Sequence, residues 1–342
     1  MKGVLVFCRR DWLHPKAGPI EHYVHQVFSR IAAQGNYVAV VCQRHPILRP
    51  RRPQTERVDQ IQIARLGSPL LHGVLVGMFL SRLGREEGLM SRLDVVVDCV
   101  SGKPLPVANH VDVPVVPVVF KLGRRVRVSD TPPGPMVAAT EQARDQLQRR
   151  GLSENFVVYA PYGVDTALFR PSPEGTPSHT LVALENAPGC LHKALAILAR
   201  EGINIQAEVR GHHGPWFHRG TVAHEERARG RAALYAQAWF GYCGPGHEGC
   251  ALEMGAAGLP VIGPATDAGR AAIEEGATGL RFAPGNAEEL AACLRRLVHD
   301  EVLRHRLSVA GREHAEGLSW DRTAGLVLAT IENLEARVSE SR

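Results

Sequence analysis

The chain has 342 residues, 44% of them hydrophobic and 22% charged, with a formal net charge of +5. That length exceeds one ordinary core and suits two domains, and the composition excludes a disordered chain. No apolar run reaches the roughly 18 residues that span a bilayer, and the start MKGVLVFC lacks the pattern of a secretory leader; the basic excess is mild and comes without nucleic-acid signatures.

GVLVF at 3–7 predicts a strand. IEHYVHQVFSRIAAQG predicts a helix, with Tyr23, Val24, Val27, Phe28 and Ile31 on one face. YVAVVCQ is the next strand. The stretch from Arg44 to Arg57 carries five arginines and is expected to be a loop. Two readings stay open for it: a solvated loop, or contact with anionic lipid or a phosphate-bearing acceptor. DQIQIARLG, DVVVDCV and PVVPVVFKLG predict further strands, and MVAATEQARDQLQRRG passes from strand into helix. Pro and Gly cluster near YAPYGVDTALFRPSPEGTPS, a domain boundary.

The second half repeats the alternation. HTLVALE, IQAEVRG, WFGYCG, LPVIGP and TGLRF predict strands, and LHKALAILAREG, RARGRAALYAQA and AGRAAIEEG predict helices. In NAEELAACLRRLVHD, Asn286 is the expected N-cap, with Glu288 and Glu289 in the first turn. Val-rich runs alternating with helices imply parallel sheets covered on both faces. The fold class is therefore α/β, with two tandem Rossmann-like, doubly wound domains. The expected divisions are 1–160, 161–319 and a terminal helix within 320–342. In such folds ligands bind at the carboxyl ends of the strands. Seven scattered cysteines without a CxxC pair read as free thiols of a reducing, cytoplasmic setting.

Three stretches resemble the GT-B glycosyltransferases of the retaining family 4, also called glycosyltransferase group 1. They are HPKAGPIEHYVHQVFSRIAAQGNYVAVV, YAPYGVDTALFRP, and EGCALEMGAAGLPVIG with its continuation through GATGLRFAPGNAEELAACLRRLVHDEVLRHRLSVAGREHAEGLSWDRTA. The resemblance implies two domains facing a cleft, with a nucleotide-sugar donor held mainly by the second. The acceptor, held by the first, would be a sugar, a lipid or a small molecule. The terminal helix would cross back to the first domain.

The resemblance also assigns roles. Glu253, five residues before Gly258, takes the place of the family's ribose-binding glutamate. Glu248 takes the place of the glutamate beside the transferred sugar, with His247 near it. The backbone at Gly249, Cys250 and Ala251 would face the diphosphate, and small residues would let it approach. Gly211, His212 and His213 follow a strand end near the nucleotide. Gly18 and Glu21 keep the spacing of the amino-terminal turn on the acceptor side. No metal or cofactor is implied, because the His cluster lacks ligand spacing.

The chain departs from the family pattern in four places. Four residues separate Glu248 from Glu253 where the family usually has seven. The arginine that normally ends a second-domain strand is missing from VALENAPGCLHKAL, where Lys193 opens the expected helix. Pro19 replaces a glycine of the amino-terminal turn and removes an N–H. Lys121 stands where the family often has a catalytic-site histidine. Lys121, Arg124 and Arg125 follow a strand end, so they either supply the missing positive charge or form a solvated basic loop. Beside an active transferase, a GT-B protein that binds without catalysis stays open.

Overall fold

The computed structural model describes residues 1–14, 17, 19–43, 54–66, 93–102, 113–123, 134–172, 180–184, 189–210, 221–244 and 250–340. The chain divides into two compact units, one of Met1–Tyr162 with Trp320–Arg342, the other of Gly163–Trp216 with Val222–Ser319.

The first unit holds β1 (Gly3–Phe7), β2 (Tyr37–Gln43), β3 (Thr55–Val58), β4 (Ile61–Leu66), β5 (Val95–Gly102), β6 (Val115–Leu122), β7 (Met136–Ala138) and β8 (Val157–Tyr159). They form one sheet in the order β3-β4-β2-β1-β5-β6-β7-β8. Every pairing is parallel except the β3–β4 hairpin. Its two turn residues, Asp59 and Gln60, have φ of 48° and 67°, the left-handed values that a tight hairpin turn demands. The Asp59 carboxylate meets His25 Nε2 at 2.8 Å and ties the turn to α1 (Pro19–Ala33). The arginine-rich stretch is thus not loop to its end: Thr55–Val58 is an edge strand, because its residues find the antiparallel partner Ile61–Ala64.

Tyr23, Val24, Val27, Phe28 and Ile31 of α1 are fully buried, against Val4, Val6 and Val97 of the sheet. The terminal helix, Trp320–Glu340, lies in this unit and buries Ala324, Val327, Ile331 and Leu334 in the same core. A second helix, α2 (Glu141–Gln148), starts at Thr140, whose hydroxyl accepts from Ala143 N.

The second unit holds β9 (Thr180–Leu184), β10 (Gln206–Arg210), β11 (Phe240–Cys243), β12 (Val261–Pro264) and β13 (Gly279–Phe282), parallel throughout in the order β10-β9-β11-β12-β13. Its helices are α3 (Gly189–Arg200), α4 (Thr221–Tyr235), α5 (Cys250–Ala256), α6 (Asp267–Ala272), α7 (Ala287–His299) and α8 (Glu301–Gly317); the terminal helix is α9. Helix α4 begins before the expected RARGRAALY stretch. Asn286 caps α7, accepting from Glu288 N and Glu289 N. Both units show the expected α/β layering.

Candidate functional site

The segment that carries the two glutamates lies between β11 and β12. Its described part is α5. Cys250, Ala251, Met254 and Ala256 are buried in the second unit's core, so the helix has little freedom to shift. Glu253 is buried as well, with 12% of its side chain exposed. A buried carboxylate needs a cation, and Arg231 of α4 supplies it. Arg231 Nε donates to Oε2 at 2.7 Å and Nη2 donates to Oε1 at 2.8 Å, a two-pronged pair. The Tyr235 hydroxyl donates to Oε2 at a longer 3.3 Å. Behind the pair, the guanidinium carbon stands 5.9 Å from the centre of the Phe169 ring.

The electrostatics follow from this packing. Burial alone would lower the Arg231 pKa, but the adjacent Glu253 carboxylate outweighs it and keeps the guanidinium charged. Burial pushes the Cys250 thiol well up, and the Glu253 charge adds to the push. Burial likewise raises Tyr235. The thiol and the phenol are therefore held neutral by their burial.

Two neighbours set the position of α5. A side chain on Gly255 would bring its Cβ to 3.0 Å from the Gly311 carbonyl oxygen, so α5 and α8 touch backbone to backbone. Gly258, at φ 75°, ends the helix in a conformation that L side chains rarely adopt, against Pro171. Ser308 Oγ donates to Gly258 O at 2.6 Å. Arg312 donates through Nη1 to the carbonyls of Phe169 at 2.9 Å and of Ala256. At Gly255 and Gly258 the small residues thus serve helix packing and termination.

In the first unit, Glu21 lies in the first turn of α1 and is buried. Burial, first of all, raises the pKa values of Tyr162, Cys99 and Cys8, and the Glu21 charge adds to each rise. The turn after β1 is pinned by Asp11. Its Oδ1 accepts from Leu13 N at 2.8 Å, and its Oδ2 takes Arg65 Nε at 2.8 Å. Arg65 also reaches Glu56 at 2.9 Å.

Lys193 is exposed, in the second turn of α3 rather than at its start, because α3 begins at Gly189. Lys121 is exposed, near the carboxyl end of β6. Gly18, Arg124, Arg125, Gly211, His212, His213, His247, Glu248 and Gly249 lie outside the described residues. All seven cysteines are free. Reading the sequence missed Arg231, Asp11 and Arg65. Arg231 left a signal: it falls on the apolar stripe of α4 with Ala228 and Tyr235, where a charged residue must be paired.

Comparison with known proteins bears on the same stretch. Residues 250–314 match the family model for glycosyl transferases group 1. A D-inositol 3-phosphate glycosyltransferase of Actinosynnema mirum is 38% identical over 79 residues, which cover 23% of this chain and 19% of the relative's length. The fold of the whole chain is like that of sucrose-phosphate synthase from Thermosynechococcus elongatus, with a TM-score of 0.67 at 16% identity, covering 98% of this chain and 100% of that one. It is also like that of Anabaena HepE, solved in complex with UDP-glucose, with a TM-score of 0.58 at 12% identity and full coverage of both chains. Residues 250–314 thus match the model of the glycosyl transferases group 1, within a chain whose two-unit α/β fold is like that of solved GT-B proteins.

Proposed function

We propose that the chain is a retaining glycosyltransferase that moves a hexose-type sugar from a nucleotide-diphosphate sugar to a sugar, lipid or small-molecule acceptor. The observation that carries this reading is Glu253: a buried, charge-paired carboxylate inside the segment that matches the glycosyltransferase model. Its charge suits the vicinal hydroxyls of a ribose. The UDP-glucose bound by HepE supports a nucleotide sugar as the donor.

In the proposed reaction the acceptor oxygen bonds to the anomeric carbon as the bond from that carbon to the diphosphate breaks. The departing diphosphate takes the acceptor proton on the same face, which retains configuration. The protein orients the partners and stabilises charge. Lys193 and Lys121 are the proposed cations for the diphosphate, in place of the missing arginine, and Glu248 lies beside the sugar. The donor backbone contacts fall to Gly249, Cys250 and Ala251, with Gly211, His212 and His213 near the nucleotide. Gly18, Glu21, Arg124 and Arg125 serve the acceptor. The reaction needs no metal in this reading.

Among the described residues no helix is long and apolar enough to cross a membrane. A cytoplasmic enzyme that touches the inner membrane face through the basic 44–57 stretch fits the arginines there; sedimentation with anionic and neutral vesicles tests this. The activity is tested by incubation with a panel of nucleotide sugars, following release of the nucleoside diphosphate with and without candidate acceptors. One observation favours a second reading, binding without transfer: Glu253 already holds a bidentate partner. Nucleotide binding without turnover on any acceptor would support it.

A further inference from the structure

The Arg231–Glu253 pair is buried between α4 and α5. An ionised carboxylate offers about four acceptor positions, two on each oxygen. Arg231 occupies one on each oxygen, and the Tyr235 hydroxyl approaches a second on Oε2. Among the described residues Oε1 therefore keeps an open position, while the two-point contact fixes the plane of the carboxylate. A lysine could neutralise the charge but could not fix that plane, because an ammonium is a point charge and the guanidinium a rigid fork. The guanidinium also lies over the Phe169 ring, 5.9 Å from its centre.

We infer that Arg231 is a positioning residue that aims Glu253 Oε1 at one ribose hydroxyl, so that the Arg231–Glu253 pair, rather than the glutamate alone, selects ribonucleotide over deoxyribonucleotide donors. This rests on the reading of Glu253 as the ribose ligand. A buried carboxylate aimed at a hydroxyl penalises a ligand that lacks it, since the acceptor is then left unmade. The arrangement also explains the placement of an arginine on the apolar face of α4. A purely structural pair would be served as well by two apolar side chains.

Calorimetry with UDP, GDP and ADP, each against its 2′-deoxy and 3′-deoxy counterparts, tests the inference on the full chain. The wild type should prefer the ribonucleotide over one of the deoxy forms by about 10- to 100-fold, the scale of one hydrogen bond to a charged group. Arg231→Lys should keep the fold, lose most of that ratio, and bind the matching deoxy form about as the wild type does. A loss of affinity shared equally by all three ligands would mark a structural role and overturn the inference. So would an unmoved ratio. Should Arg231→Lys fail to fold, the Arg231 Nε–H resonance of the wild type gives the answer. It should shift when the ribonucleotide binds and less when the deoxy form does, and equal response to both would overturn the inference. If the wild type binds none of the ribonucleotides, the parent reading falls and this one with it. Intact binding with no ribose preference sinks only the positioning role.

Discussion

Arg231 decides what Glu253 can be. The spacing from Glu253 to Gly258 was legible in the sequence. The partner of the carboxylate was not, because it comes from a helix 22 residues away in the chain. A salt bridge across elements leaves no local pattern beyond a charge on an apolar stripe. Glu253→Gln keeps the shape of the side chain and removes its charge. Nucleotide affinity should fall by about 1.5–3 kcal/mol, as calorimetry would show. The same change strands a buried guanidinium, so urea melts should show a stability loss of about 3–5 kcal/mol. Unchanged affinity in a folded variant would remove Glu253 from the donor site. The two lysines give a contrast. Lys193→Ala should weaken donor affinity, and Lys121→Ala should lower turnover with affinity kept, because a charge that acts at the transfer step alone leaves binding unchanged. Steady-state kinetics separate these outcomes, and wild-type values in both variants would leave the diphosphate without its proposed cations. The thiols predict a pH effect. Burial, first of all, raises Cys8, Cys42, Cys99 and Cys250 well above the ordinary value of 9.0, and Cys293 is pushed up to about 11. A raised folded-state pKa gives stability that is whole below the unfolded value. It is lost as pH rises past that value, because only the unfolded chain then releases its protons. Urea midpoints should fall between pH 8 and pH 10, and a rise would contradict the burial of these groups.

Helix α5 shows how far the element scale can be read in advance. Its Gly- and Ala-rich sequence suggested a backbone open to a ligand. At Gly255 the structure instead uses the small residue to seat α5 against Gly311 of α8. Sequence cannot separate the two uses, since both need a missing side chain. Gly255→Val should force the helices apart and destabilise the second unit by about 1–3 kcal/mol, the cost of overpacking. Arg312 holds the end of the same helix through the carbonyls of Phe169 and Ala256. Arg312→Ala should cost about 2–3 kcal/mol, because buried carbonyls lose a charged donor. Thermal melts of the two variants test the seat, and wild-type stability in both would contradict it. The Val-rich strands were legible because continuous apolar runs mark strands buried on both faces. The edge strand β3 was not: TERV alternates exposed and half-buried residues, and its partner strand decides its form. Strand β8 was missed for a related reason, as VVY is half-buried and precedes a Pro-Gly stretch.

At the scale of the molecule, each unit buries its own hydrophobic clusters. Val and Ile fill the sheet of the first unit against α1 and α9, and Leu from α3 and α7 fills the second. The alternation of strands and helices made this α/β order readable from sequence. The chemistry was less so, because the side chains that meet at Glu253 come from distant stretches of chain. In the proposed function the chain transfers a sugar from a nucleotide-diphosphate donor. The most direct measurement is release of nucleoside diphosphate from a panel of UDP-, GDP- and ADP-sugars, read beside the same assay on Glu253→Gln. One donor should be turned over by the wild type, with the anomeric configuration retained in the product, and the variant should need a much higher donor concentration. A folded wild type that neither binds nor turns over any donor of the panel at millimolar concentration would contradict the account.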